Sequence, residues 1–180
     1  MKLYVMDAFA NRIFGGNQAG VALPDRELSD ETMRQIAAEM KHSETAFIHM
    51  EPDGSVSLRY FTPAGEVDLC GHATVASFAL LRQLEKIGDG DHIAHTKAGE
   101  LNITVRGGTV WMDMAPPQLI GDIPAAERAA LYAAYGLTEA DCPEGYIPRM
   151  VSTGLADIMM PVRDHETLMR AVQNAPVVTE

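Results

Sequence analysis

Short stretches of alternating apolar and polar residues dominate the first two thirds of this chain. Val56 to Phe61 alternates, and it follows Thr45 to His49 across a Pro52-Asp53-Gly54 turn, so the two read as a hairpin. Leu101 to Arg106 and Thr109 to Met114 flank Gly107-Gly108 in the same way, with His92 to Thr96 as a further strand before them. Leu3 to Phe9 reads as a first strand. Helical spacing is the exception. Ser29 is a good N-cap, Asp30 and Glu31 follow in the first turn, and Met33, Ile36, Ala37 and Met40 recur at the helix period until about His42. Ala73 to Glu85 reads as a helix that is apolar round most of its surface, which requires burial on several sides.

Between these elements lie turns. The region of Gly15, Gly16 and Gly20 reads as backbone turns; it lacks the Lys-Ser/Thr ending of a phosphate loop and the spacing of a dinucleotide fingerprint. Pro116-Pro117 breaks the strand pattern and divides the chain into residues 1–116 and 117–180. The second part opens with a helix from about Pro124 to Tyr135, stopped by Gly136, and continues with short strands near Val151 and Ile158 to Val162 and a last helix near His165 to Val172. Strands outnumber helices and each part has one apolar helix, so the expected class is α+β, a sheet wrapped round a central helix.

Composition narrows the partners. The chain has 180 residues, 47% of them hydrophobic, and a formal net charge of −11. An acidic surface without a basic block argues against nucleic acid and anionic membranes. The longest apolar-rich run, Ala73 to Leu81, is too short to cross a bilayer, and the early Asp7 leaves no secretory apolar region. Two cysteines, Cys70 and Cys142, make no disulfide framework and fit a reducing compartment. The expectation is a cytoplasmic protein.

Chemistry concentrates between Arg59 and Ser77, where Cys70-Gly71-His72 leads directly into the apolar helix. A helix N-terminus offers unpaired N–H groups and the positive end of the macrodipole, and so suits a carboxylate. Taken singly, each residue also has an ordinary reading. Glu44 is a solvated surface group, His72 a structural hydrogen-bonder, Cys70 and Cys142 are buried structural thiols, and Asp68 orients the site or sits in a surface turn. Cys70-x-His72 and His92-x-x-His95 are half-motifs without completing ligands, so no metal site is expected.

Four ordered matches carry a family resemblance: Asp7-Ala8-Phe9, Gly16-Asn17-Gln18-Ala19, Ser43-Glu44-Thr45-Ala46-Phe47, and Asp68 to Ser77. Val151-Ser152-Thr153-Gly154, followed by the apolar run to Val162, is a fifth. Together they resemble the PhzF family of phenazine-biosynthesis-like isomerases, with the diaminopimelate-epimerase fold. In the second match Gln18 stands where the family normally has proline. The resemblance implies two pseudo-symmetric halves, each a barrel-like sheet round a central helix, the second left incomplete here. It implies a cofactor-independent isomerase with Glu44 as the proton-transferring group and a small carboxylate-bearing substrate. His72, with the N–H groups of Gly71 and Ala73, would hold that substrate, and Asp68 would polarise the site. Ala46 and Phe47 would desolvate Glu44. Two rivals accompany this reading. One is an epimerase or racemase using Cys70, its thiol made acidic by the helix N-terminus. The other is a non-catalytic, anion-binding or dimerising scaffold, because the family's second-half aspartate and Gly-Ser-Ala-Thr-Gly-like loop do not occur in these residues. Open sheet edges would favour a homodimer.

Overall fold

The computed structural model describes residues 1–12 and 15–178, which divide into two compact units, Met1–Met114 and Ala115–Glu180. The first is α+β, as expected. Its strands are β1 (Lys2–Ala8), β2 (Asn17–Leu23), β3 (Thr45–Met50), β4 (Val56–Phe61), β5 (Glu66–Val67), β6 (Gly90–Thr96), β7 (Gly99–Arg106) and β8 (Thr109–Met112), with helices α1 (Asp30–Met40) and α2 (Gly71–Gln83). One sheet runs β1-β2-β3-β4-β6-β7-β8, with β5 paired to β4. It curls round α2, which packs against β1, β2, β3, β7 and β8. The β2–β3 and β4–β6 pairs are parallel and the rest antiparallel.

The apolar character of α2 explains its place. Ala73, Ala76, Phe78, Leu80 and Leu81 are buried, with Val21, Ala46, Ile48, Leu58 and Ile103 of the strands in the same cluster. Each large side chain contributes roughly 1.5–3 kcal/mol on burial. The hydroxyls inside this apolar helix are satisfied locally: Thr74 Oγ1 donates to the Cys70 carbonyl and Ser77 Oγ to the Ala73 carbonyl, both at 2.7 Å. Helix α1 lies on the opposite face of the sheet, over Ala22, Phe47 and Phe61. Ser29 caps it, accepting from Thr32 N–H at 3.3 Å, and it ends where Lys41 turns left-handed at φ 57°.

Strands β2 and β9 (Gln118–Asp122) depart from expectation, as does the short β5. The glycine-marked stretch contains β2, a full strand inside the sheet, which takes up Gly20; Gly15, whose N–H donates to the Arg12 carbonyl at 3.3 Å, and Gly16, at φ 80°, precede it in turn conformation. A Cβ at Gly16 would lie 2.3 Å from the Ala8 carbonyl oxygen. In the second unit, β9 follows Pro116-Pro117 directly.

The second unit continues with α3 (Ala125–Ala133), a single 3-10 turn (Glu139–Asp141), β10 (Arg149–Ser152), β11 (Ala156–Met159), α4 (His165–Arg170) and α5 (Ala175–Val178). Its sheet is antiparallel in the order β11-β10-β9. The expectation of a buried apolar helix fails here. Tyr132 is the buried residue of α3, its hydroxyl donating to the Pro161 carbonyl at 2.6 Å. The alanines beside it offer too little apolar area to drive burial all round. Among the described residues no helix is long and apolar enough to cross a membrane.

Candidate active site

Strand alternation decides where Glu44 points. It immediately precedes β3, and its face of the strand is that of Ala46 and Ile48, which pack into the α2 core. Phe47 faces the other way, meeting Phe61 edge-on at 5.7 Å beneath α1. Phe47 therefore does not desolvate Glu44, which corrects the sequence expectation; the surroundings of α2 do. The backbone at Glu44 is fixed by Gly20, whose N–H donates to the Glu44 carbonyl at 3.0 Å.

The N-terminus of α2 supplies the facing groups. Cys70 is the N-cap, but its side chain makes no cap hydrogen bond. The first-turn N–H groups of such a helix have no intrahelical acceptors. A buried polar chain anchors this end: Tyr60 and Thr74 hydroxyls are 2.6 Å apart, and Thr74 Oγ1 is already donating to the Cys70 carbonyl. Tyr60 O–H is thus the donor to Thr74.

Glu44, Cys70 and His72 meet there. Their ligand-capable atoms lie within 4.8 Å of one another, the one such cluster of three among the described residues. His72 Nε2 is 3.5 Å from Glu44 Oε2, with side-chain exposures of 12% and 23%. Cys70 Sγ is 3.3 Å from His72 Nδ1. The carboxylate and the thiol therefore face different ring nitrogens. One ligand atom from each of the three residues is thus close enough to the others to share a single bound group, while Glu44 Oε2 and His72 Nε2 make no hydrogen bond to each other. The other half-motif is divided: His92 Nε2 lies 3.1 Å from the Gly88 carbonyl, and His95 Nε2 3.1 Å from Ser55 Oγ.

Burial governs the thiol. It pushes the Cys70 pKa up to about 12, and the Glu44 carboxylate nearby adds to the rise. The N–H groups of Ala73 and His72 act the other way without prevailing. Cys70 is buried, as its ordinary reading expected, and the acidified thiol of the rival epimerase reading is corrected: desolvation outweighs the helix terminus.

Of the remaining residues named from sequence, Gly71 opens α2, with room for contact at its Cα, where an added Cβ would come no closer than 3.5 Å to Met112. Ala73 is wholly buried in the helix's first turn. Asp68 lies outside the cluster; it is 55% exposed and pairs with Lys97 at 2.8 Å. Cys142 belongs to the second unit, its Sγ 3.3 Å from the Tyr146 carbonyl. Gly20, Thr45 and Tyr60 were missed as supports of the site. A glycine inside an apolar run is the signal that marks the first.

Glu44 Oε2, His72 Nε2 and Thr45 Oγ1 are buried without a hydrogen-bond partner. Unpaired buried polar atoms are rare in folded proteins, and two of these three face each other beside a helix N-terminus. Fold and cluster define an α+β protein with a carboxylate–imidazole pair set at the start of a helix enclosed by its sheet. The chain belongs to the PhzC/PhzF family of phenazine biosynthesis-like proteins, which it matches over residues 6–179. It is 35% identical over 166 residues to the uncharacterized isomerase YddE of Escherichia coli O157:H7, a match covering 90% of this chain and 56% of that protein. The Bacillus anthracis PhzF-family crystal structure superposes with a TM-score of 0.83 at 30% identity, over 97% of this chain and 60% of the other. A probable proline racemase from Agrobacterium radiobacter shares the fold at 13% identity and a TM-score of 0.59, over 97% of this chain and 55% of that one. The chain thus spans little more than half the length of these proteins.

Proposed function

We propose that this protein is a cofactor-independent isomerase in which Glu44 moves a proton between two carbons of a small carboxylate-bearing metabolite. The observation that carries the reading is the pair of buried, unpartnered atoms Glu44 Oε2 and His72 Nε2, 3.5 Å apart. A buried group without a partner is costly, and a bound substrate supplies the missing partners. The relatives' description as isomerases supports the same reaction class.

In this reading the substrate carboxylate lies against the N-terminus of α2 and His72, so the acidic C–H faces Glu44. Glu44 takes the proton, and the C–H electron pair moves into the conjugated system toward the carboxylate oxygens. Glu44 then returns the proton at a different carbon, and both enzyme and redox balance are restored. The acidic composition argues against nucleic-acid and anionic-membrane partners; a cytoplasmic homodimer, favoured by open sheet edges, completes the proposal.

The test is deuterium incorporation from heavy water into a panel of small unsaturated carboxylates, followed by NMR. The chain is expected to incorporate deuterium at carbon, and Glu44→Gln to lose about 10²-fold or more of the rate. A full rate in Glu44→Gln would overturn the assignment. Complete loss in Cys70→Ala beside an active Glu44→Gln would transfer the role to the thiol, as in the epimerase reading. No incorporation by the unaltered chain with any member of the panel would favour the scaffold.

A further inference from the structure

The proton-transfer scheme uses Glu44 and one nitrogen of His72, and leaves the Cys70 thiol without a task. Yet the sulfur lies 3.3 Å from Nδ1, while Glu44 Oε2 faces the other ring nitrogen, Nε2, at 3.5 Å. A neutral imidazole has one donor and one acceptor nitrogen, and neighbouring groups decide which is which. With the proton on Nδ1, the ring would direct an N–H at a thiol, a weak acceptor, and the lone pair of Nε2 at the Glu44 carboxylate 3.5 Å away. With the proton on Nε2, the thiol donates to Nδ1, and Nε2 presents a donor on the side of Glu44 Oε2, which it faces without a hydrogen bond. The second arrangement requires a protonated thiol, and burial provides one. A thiolate at the same place would select the first.

We propose that Cys70 is a positioning residue, whose S–H donates to His72 Nδ1 and holds the ring as the Nε2–H tautomer with its donor toward Glu44. The consequence rests on the isomerase reading. A ring fixed this way offers the substrate or Glu44 a hydrogen-bond donor and does not compete with Glu44 as a base. The cysteine thereby acts through its neighbour, and takes no proton from carbon itself.

The proposal is tested on the full chain labelled with 15N-histidine, by long-range 1H–15N NMR at about pH 8, above the titration of an ordinary histidine. His72 is assigned by the signals that vanish in His72→Gln. Nδ1 is expected at the shift of an unprotonated nitrogen and Nε2 at that of a protonated one. Cys70→Ala is expected to move both nitrogens toward the values of a tautomer mixture, and Cys70→Ser, which keeps a donor, to restore the original pattern. A purely structural cysteine would leave the nitrogens unmoved in Cys70→Ala, and that result overturns the proposal. So does a proton found on Nδ1 in the unaltered chain, a reading that stands even if the Cys70 variants do not fold. Neither result depends on turnover, so this proposal and the isomerase reading can fail separately.

Discussion

Gly20 and Thr45 face each other across the parallel pairing of β2 with β3, at the base of Glu44. A Cβ on Gly20 would lie 2.5 Å from Thr45 Oγ1 and 3.1 Å from its Cγ2. Thr45 is fully buried, so its side chain cannot swing into solvent. Gly20→Ala must therefore push β2 away from β3, straining the bond from Gly20 N–H to the Glu44 carbonyl. Overpacking of this kind costs about 1–3 kcal/mol. Thr45→Ala is a different perturbation. It loses a buried methyl group, about 1 kcal/mol, but also removes an unpartnered hydroxyl, whose desolvation cost of about 1–3 kcal/mol is recovered. The single change is therefore expected to range from neutral to stabilising by about 2 kcal/mol. In the double variant the new Cβ enters the space that Thr45 vacated. Its stability is expected near that of Thr45→Ala alone, a coupling of about 1–3 kcal/mol. Urea unfolding of all four proteins measures it, followed by fluorescence of Trp111, the chain's one tryptophan, which belongs to the same unit. At a slope of about 2 kcal/mol/M, a loss of 2 kcal/mol lowers the midpoint by about 1 M. Additivity, with the double variant as far below Thr45→Ala as Gly20→Ala lies below the unaltered chain, would refute the reasoning.

Three further outcomes follow from the contacts described. Tyr60→Phe removes the donor to Thr74 and is expected to cost about 1 kcal/mol in urea unfolding; a change below a few tenths would deny the polar anchor its role. Burial pushes the Cys70 thiol from an ordinary value of 9.0 up to about 12, so the unfolded chain releases its proton first as the pH rises. The contribution is therefore intact below about pH 9 and is lost toward pH 12, and a stability profile of Cys70→Ala should fall less steeply in that window. In the second unit the Thr138 N–H, aided by Arg170 and Arg163, holds the Asp141 carboxyl below its usual range. A depressed folded pKa gives stability that is present above the unfolded value of 3.8 and lost as the pH falls through the folded one; circular dichroism of Asp141→Asn should show lower stability at neutral pH and a flatter acid limb.

Local pattern determined much of this protein. The β3–β4 hairpin, the β6–β7–β8 meander, the Ser29 cap and the all-round apolar α2 were legible, because each is specified within a few residues by period, cap or turn. The first unit's class followed, since a helix with no polar face must be enclosed. Strand β2 was not legible, because its Gly20 is required by Thr45, a residue distant in sequence. The same limit applied to the site. Glu44, Cys70 and His72 were each named from the chain, but only the sheet curled round α2 brings the end of β3 over the helix start. It also decided that Phe47 turns away from Glu44 and that Asp68 pairs with Lys97. The thiol shows the same division: a helix N-terminus can be read from sequence, whereas the desolvation that overrides it depends on everything packed around the sulfur. Hydrophobic period and capping are local, while close approach and burial are properties of the assembled fold.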